Sequence, residues 1–291
     1  MAVDADVRLD KRGEELHAQR FQMLEDIARE LAGPVVFPTC FDAAFQLRRE
    51  LQNTDLPIAR IATIVSLEPV VAARLMQLAG SVLYSPDGSA PRDLQAAIKR
   101  LGVEVVRTTA LAIAMNQLLR SKEIAVFSEF AKSLWNHSLR AAAASRLLAK
   151  RFTRIGPDEA MLAGLVHDLG AFYMIYRSAQ YPELRVRPDI VKHLILQWHE
   201  SIALTLLSSL GMAEDIVNAA TDHDQPRPLP ETLRTLTDVV YVGNLLAGAH
   251  VAWSGGAGDP VSEQVFAASE AYAELLPEIE VAAAEMLSVF S

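Results

Sequence analysis

Apolar residues return every three or four positions along most of the chain, and runs that alternate apolar with polar at a period of two are nearly absent. Ala, Leu, Glu, Arg and Gln fill segment after segment, and such side chains lose little freedom in a helix. The pattern predicts an all-α protein, with helices near 40–52, 57–66, 68–79, 91–100, 102–119, 124–152, 157–176, 188–210, 213–223, 230–248 and 261–288. A polar helical lead-in occupies residues 1–32 and ends at "AGPVVFPTC", where Gly33, Pro34 and Pro38 break the helix. Further breaks fall at "YSPDGSAPRD", at "RIGPDE" and at "DQPRPLPE". No segment recurs at a fixed period, so a compact multi-helix bundle is expected rather than a solenoid. "AWSGGAGDP" (252–260) is expected to link the bundle to a last helix whose polar positions, mostly acidic, form a solvated face.

Helical phase separates the seven histidines. His137 lies in line with Leu134, Ala141, Ala144 and Leu148; His167 with Ala163, Gly164, Ala171 and Met174. His199 and His223 also fall on apolar sides, and Asp168 follows His167 directly within "GLVHDLGAF". By phase His17, His193 and His250 do not join the set and are expected at the surface or at helix ends. A lone inward imidazole is usually satisfied by a carbonyl or a water. Four of them with a carboxylate carry a desolvation cost that a shared divalent cation offsets economically, and helical bundles build such sites from facing helices. Neutral imidazoles with one carboxylate suit Zn, Fe or Mn.

Composition narrows the classes further. A formal net charge of −9 leaves no broad basic footprint, so nucleic acid is not an expected partner. The single cysteine, Cys40, excludes an internal disulfide framework, and the charged N-terminus lacks the apolar core of a secretion signal, so a cytoplasmic location is expected. The longest apolar runs, such as "TTALAIAMNQLL", fall short of the roughly 20 residues that cross a bilayer, and no membrane span is expected.

Taken in order, "FPTCFDAAFQLRRELQNTDLPIARIATIVSLEPVVAARLMQLAGSVLY", "DLQAAIKRLGVEVVRTTALAIAM", "LWNHSLRAAAASRLLAK", "AGLVHDLGAF" and "HESIALTLLSSLGMAEDIVNAATDHD" resemble the HDOD family, a bacterial signalling branch related to the HD superfamily of metal-dependent phosphohydrolases. The resemblance implies a helical N-terminal subdomain followed by an HD-like one: residues 33–228 as the HDOD-like domain (33–122 and 123–228), after an extension at 1–32 and before helices at 229–291 that complete the bundle. It places His137 at the first His position, His167 and Asp168 at the defining pair, and His199 and His223 at later positions used when two metal ions are held. The cofactor it implies is a divalent metal: Fe, Mn, Zn or Mg. Two departures weaken the implied catalysis. Asn244 stands where HD enzymes place a last Asp ligand, and Ala171 stands where active phosphohydrolases often carry a Lys. Asp238, six residues before Asn244, lies on another face. Returning Asp to position 244 is therefore expected to raise metal affinity. The function expected is a non-catalytic or weakly active signalling adaptor with a degenerate metal site, with signalling proteins in trans and a nucleotide ligand as the expected partners. The alternative is an active phosphohydrolase acting on a nucleotide or cyclic dinucleotide.

Overall fold

Proline and short polar side chains set where the helices begin. In the computed structural model, which describes residues 14–31, 41–51, 56–251 and 261–290, Pro69, Pro157, Pro182 and Pro188 open α4 (Pro69–Ala79), α8 (Pro157–Val166), α10 (Pro182–Arg185) and α11 (Pro188–Ser209). The missing N–H of proline costs nothing in a first turn, and its fixed φ suits one. Asp93 caps α5 (Leu94–Leu101) by accepting from the Ala96 N–H at 2.7 Å. Thr235 and Asp238 form a reciprocal capping box at α13 (Leu236–Leu246), which fixes Asp238 at the helix start and away from the inward face. Gly102, at φ +83°, ends α5 and starts α6 (Val103–Leu119) in one residue, a turn that only glycine makes without strain.

The remaining helices are α1 (Glu14–Leu31), α2 (Asp42–Glu50), α3 (Ile58–Ser66), α7 (Ser128–Phe152), α9 (Leu169–Ser178), α12 (Glu214–Ala220), α14 (Val261–Ala271) and α15 (Leu276–Phe290). No strand occurs among the described residues. The all-α expectation holds, and no helix is long and apolar enough to cross a membrane among the described residues. The sequence-expected break at Gly33–Pro38, the link at 252–260, Cys40 and the start of the lead-in lie outside the described residues.

α7 is the axis around which the site is built. It packs against α8, α13 and α15. A Cβ on Gly164 of α8 would stand 2.7 Å from the Ala141 carbonyl oxygen, and one on Gly243 of α13 would overlap the Ser145 hydroxyl. Both helices therefore approach α7 backbone to backbone, which ordinary side chains would prevent. A third close approach sets α9 against α11: a Cβ on Gly170 would stand 2.8 Å from the Ala203 nitrogen. The earlier helices join this frame through polar ties. The Tyr84 hydroxyl donates to Asp158 at 2.8 Å, and Arg146 of α7 both pairs with that carboxylate and lies over the Tyr84 ring. Burial, reinforced by the adjacent Asp158, raises the Tyr84 pKa. α1 buries Met23 and Ile27, and Asp26 accepts from the Tyr181 hydroxyl at 2.7 Å.

Several elements depart from the periodicity. The helix expected over 157–176 is two, broken at His167 and Asp168. That expected over 261–288 breaks at Tyr272–Leu275, ahead of Pro277. α13 starts at 236 rather than 230, because the proline-rich approach cannot supply helical N–H donors. The acidic face of the last helix is exposed as expected apart from Glu285, which accepts from the Val82 and Leu83 N–H groups at 3.2 and 3.1 Å; Glu280 and Glu278 pair with Arg140 and Arg151 of α7.

Candidate metal centre

The break at residues 167–168 creates the site. His167 ends α8 in helical geometry, and Asp168 turns to φ −96°, ψ 16° before α9 begins. The carboxylate thus points across the gap between helices. His137 comes from the middle of α7, His199 from α11, and His223 from the turn after α12. The structure brings all five together, each no more than 2% exposed. His193 is exposed, as expected. The placement of the His17 side chain lies outside the described residues.

Each imidazole is oriented by a backbone carbonyl on its Nδ1: Ala247 for His137 (3.3 Å), Gly164 for His167 (2.8 Å), Ile195 for His199 (2.8 Å) and Ala220 for His223 (3.0 Å). A carbonyl only accepts, so each Nδ1 carries the hydrogen, and when the rings are neutral each Nε2 presents a lone pair. These lone pairs face one another, at 3.1 Å between His137 and His167 and at 3.2 Å between His199 and His223. Asp168 joins the pairs. Its Oδ2 lies 3.5 and 3.3 Å from the Nε2 atoms of His137 and His167, and its Oδ1 lies 3.6 and 3.4 Å from those of His199 and His223. Neither carboxylate oxygen has a hydrogen-bond partner among the described residues.

A buried set of acceptors without donors is unfavourable on its own. Ligands about 2.1 Å from one ion, set near a right angle, lie about 3 Å apart, which is the separation of each histidine pair. His137, His167 and Asp168 form one group that can hold a metal ion, and Asp168, His199 and His223 form a second. In the ion's absence protons redistribute. Burial drives the His137 pKa down and that of His167 to about 3, only partly opposed by Asp168. Burial would also lower His223, yet Asp224, Asp168 and Glu200 outweigh it and raise His223 to about 9. Burial would raise Asp168, but His167 and His223 hold it well below the usual carboxylate range. A proton on His223 thus supplies part of the positive charge that the cluster lacks.

Two neighbours were not anticipated. Asp224 places Oδ2 3.4 Å from His199 Nε2 and 3.4 Å from His250 Nδ1, so His250 lies beside the cluster rather than apart from it. Periodicity could not place His250, because it follows Ala249, at φ +48°, beyond the end of α13. Asp224 did carry a signal in the sequence: residues 223–224 repeat the His-Asp order of 167–168. Asn244 is fully buried, and its Nδ2 donates to the His223 carbonyl and to Asp224 Oδ1, both at 3.0 Å. Ala171 is buried in the first turn of α9 and brings no cation to the cluster.

Separate helices that converge on a buried His-Asp cluster define the HD-like class of all-helical proteins. Within that class the sequence matches the HDOD domain over residues 37–226, and the chain belongs to the HDOD family. The fold is similar to that of a proposed metal-dependent phosphohydrolase from Shewanella amazonensis SB2B, at 19% identity and a TM-score of 0.72, over 94% of this chain and 100% of that one. An HDOD domain protein of unknown function from Geobacter sulfurreducens is similar at 21% identity and a TM-score of 0.56, over 89% and 96% of the two chains. A proposed signal transduction protein from Marinobacter aquaeolei VT8 has 19% identity and a TM-score of 0.56, over 94% and 66%. At these identities the similarity establishes the fold. No protein of curated function matches the chain.

Proposed function

We propose that this HDOD protein is a signalling module whose His-Asp cluster holds one or two divalent ions as a structural or regulatory centre, with little or no phosphodiester hydrolysis. His137 and His167 would hold one ion and His199 and His223 another, with Asp168 shared between them. A divalent ion there would supply Lewis-acid chemistry and a fixed positive charge. The observation that carries the non-catalytic reading is the cover over the cluster. All five groups are buried, and the partly exposed groups beside them include two carboxylates, Asp224 at 11% side-chain exposure and Glu200 at 19%, with His250 next to Asp224. A phosphate approaching from that side would meet negative charge. Arg227, the cation nearby in sequence, is paired with Asp222 and stacked on Tyr241. Phosphoryl chemistry needs cations preorganised around the transferring group, and Ala171 offers none. Signalling proteins in trans are the proposed partners, since an acidic chain does not suit a phosphate backbone.

The second reading, an active phosphohydrolase, draws on the bridging position of Asp168, which suits a two-ion site. Elemental analysis of protein purified without added metal, together with hydrolysis of bis(p-nitrophenyl) phosphate and cyclic dinucleotides, separates the two. The expected result is bound metal in the wild type, loss of metal and a lower Tm in His167→Ala, and no turnover above that of chelated protein. Robust turnover by Mn- or Fe-loaded wild type, abolished in His167→Ala, would make the protein an enzyme.

A further inference from the structure

Asn244 does not behave as a ligand that has merely lost its charge. Its amide nitrogen is committed to two acceptors, the His223 carbonyl and Asp224 Oδ1, both at 3.0 Å. This fixes the amide with nitrogen toward Asp224, and its Oδ1 is buried without a hydrogen-bond partner among the described residues. Asp224 is held from further sides as well: Glu200 accepts its backbone N–H at 3.2 Å, and His250 Nδ1 lies 3.4 Å from Oδ2. So held, Asp224 sets Oδ2 3.4 Å from His199 Nε2 and Oδ1 3.8 Å from His223 Nε2.

We infer that Asp224 is a metal ligand of the His199–His223 half of the cluster, and that Asn244 is the positioning residue that aims it. The carboxylate that the HD pattern leads one to seek on α13 is supplied instead from the turn after α12, and α13 contributes the donor that orients it. The two halves are then unequal. One offers two imidazoles and the shared Asp168; the other offers two imidazoles, Asp168 and a second carboxylate. The second half carries one more negative charge and a harder donor set, which suits Mn or Fe, so it fills first. The arrangement also explains the amide at 244. A carboxylate there would face the His223 carbonyl and the Asp224 carboxylate at about the same 3.0 Å, acceptor against acceptor. Asn244→Asp alone is therefore expected to weaken binding, the reverse of the expectation from the HD pattern.

This inference rests on the metal-centre reading, and the experiment distinguishes the two. Chelator-treated full-length protein is titrated with Mn(II), free Mn(II) is counted by electron paramagnetic resonance, and melting in chelator reports the fold of each variant. Wild type should bind two ions, one more tightly. Asp224→Asn, nearly isosteric, and Asp224→Ser should each weaken the tighter ion at least tenfold, and Asn244→Asp should weaken it as well. Asn244→Ala, which removes the donor but keeps the Asp224 carboxylate, should weaken the tighter ion while the looser ion binds as in wild type, a selective loss that a purely structural role would not give. Unchanged tight binding in both Asp224 variants, or tighter binding in Asn244→Asp alone, would overturn the assignment while leaving the metal centre intact. Absence of Mn(II) binding by wild type would overturn both.

Discussion

Gly170 offers a direct test of how backbone spacing sets the cluster. In Gly170→Ala the new Cβ would lie 2.8 Å from the Ala203 nitrogen and 2.9 Å from the His199 carbonyl carbon, and closer still to the oxygen of that carbonyl. Ordinary contact begins at about 3.4 Å, and the contact with the carbonyl oxygen is the tightest, so α9 must withdraw from α11 by more than about 1 Å. Both partners are backbone, and no side chain can swing aside. Overpacking of this kind costs about 1–3 kcal/mol, with the upper end expected here, against a gain of up to about 1 kcal/mol from the better helix former. A net loss of about 2 kcal/mol, at roughly 2–4 °C per kcal/mol for a chain of this size, lowers Tm by about 4–8 °C. The displacement also carries Asp168, two residues away, from its position 3.6 Å from His199. Metal affinity at the His199–His223 half should fall with it. Thermal melts followed by circular dichroism in chelator isolate the packing term, and Mn(II) titration reports the second effect. Gly156→Ala serves as the control, because its Cβ would meet nothing closer than 3.7 Å. A chelated Gly170→Ala protein melting within a degree or so of wild type would mean that the α9–α11 contact does not hold the two helices at this spacing.

His167 takes a proton in the folded chain only near pH 3, against 6.5 when unfolded, so its contribution is complete above 6.5 and is lost as pH falls toward 3. His223 runs the other way: its folded value is about 9, so its contribution is complete below 6.5 and is lost as pH rises toward 9. Chelated protein should thus melt highest near pH 6.5, and metal-induced stabilisation should grow from there toward pH 9 as His223 releases its proton more readily; calorimetric scans across pH 5–9.5 check both, and a flat difference between loaded and chelated protein would contradict them. Glu285→Ala should cost about 1–2 kcal/mol by removing the acceptor for two N–H groups, read as a Tm drop of several degrees with metal stoichiometry unchanged.

Periodicity could place only residues that lie inside helices. His137 and His199 sit mid-helix, and their inward faces are as the pattern implies. His167 stands at a helix end and His223 three residues beyond one, so the HDOD resemblance was the sounder guide to both. Asp224 and His250 lie in turns past α12 and α13, where a 3.6-residue repeat carries no information about direction. The break after Val166 was hidden for a related reason. "GLVHDLGAF" has helical composition throughout, and what parts α8 from α9 is the approach of α9 to α11 at Gly170, a contact between residues about 30 positions apart.

The clasp of Glu285 onto Val82 and Leu83 joins residues 203 and 202 positions apart, whereas the helices of the cluster are neighbours in the chain. Contacts of such long sequence separation form late, because the loop they close costs the most entropy before any contact rewards it. Every residue around the cluster, from His137 to His250, precedes the last helix. During synthesis the cluster can therefore gather while α15 is still unmade, leaving the surfaces of α4 and α7 that it covers open to water and to other chains. Closure by the last helix is then the step that commits the earlier helices to this chain rather than to a neighbour, and a delay there would appear as association in dilute refolding rather than as a loss of helix.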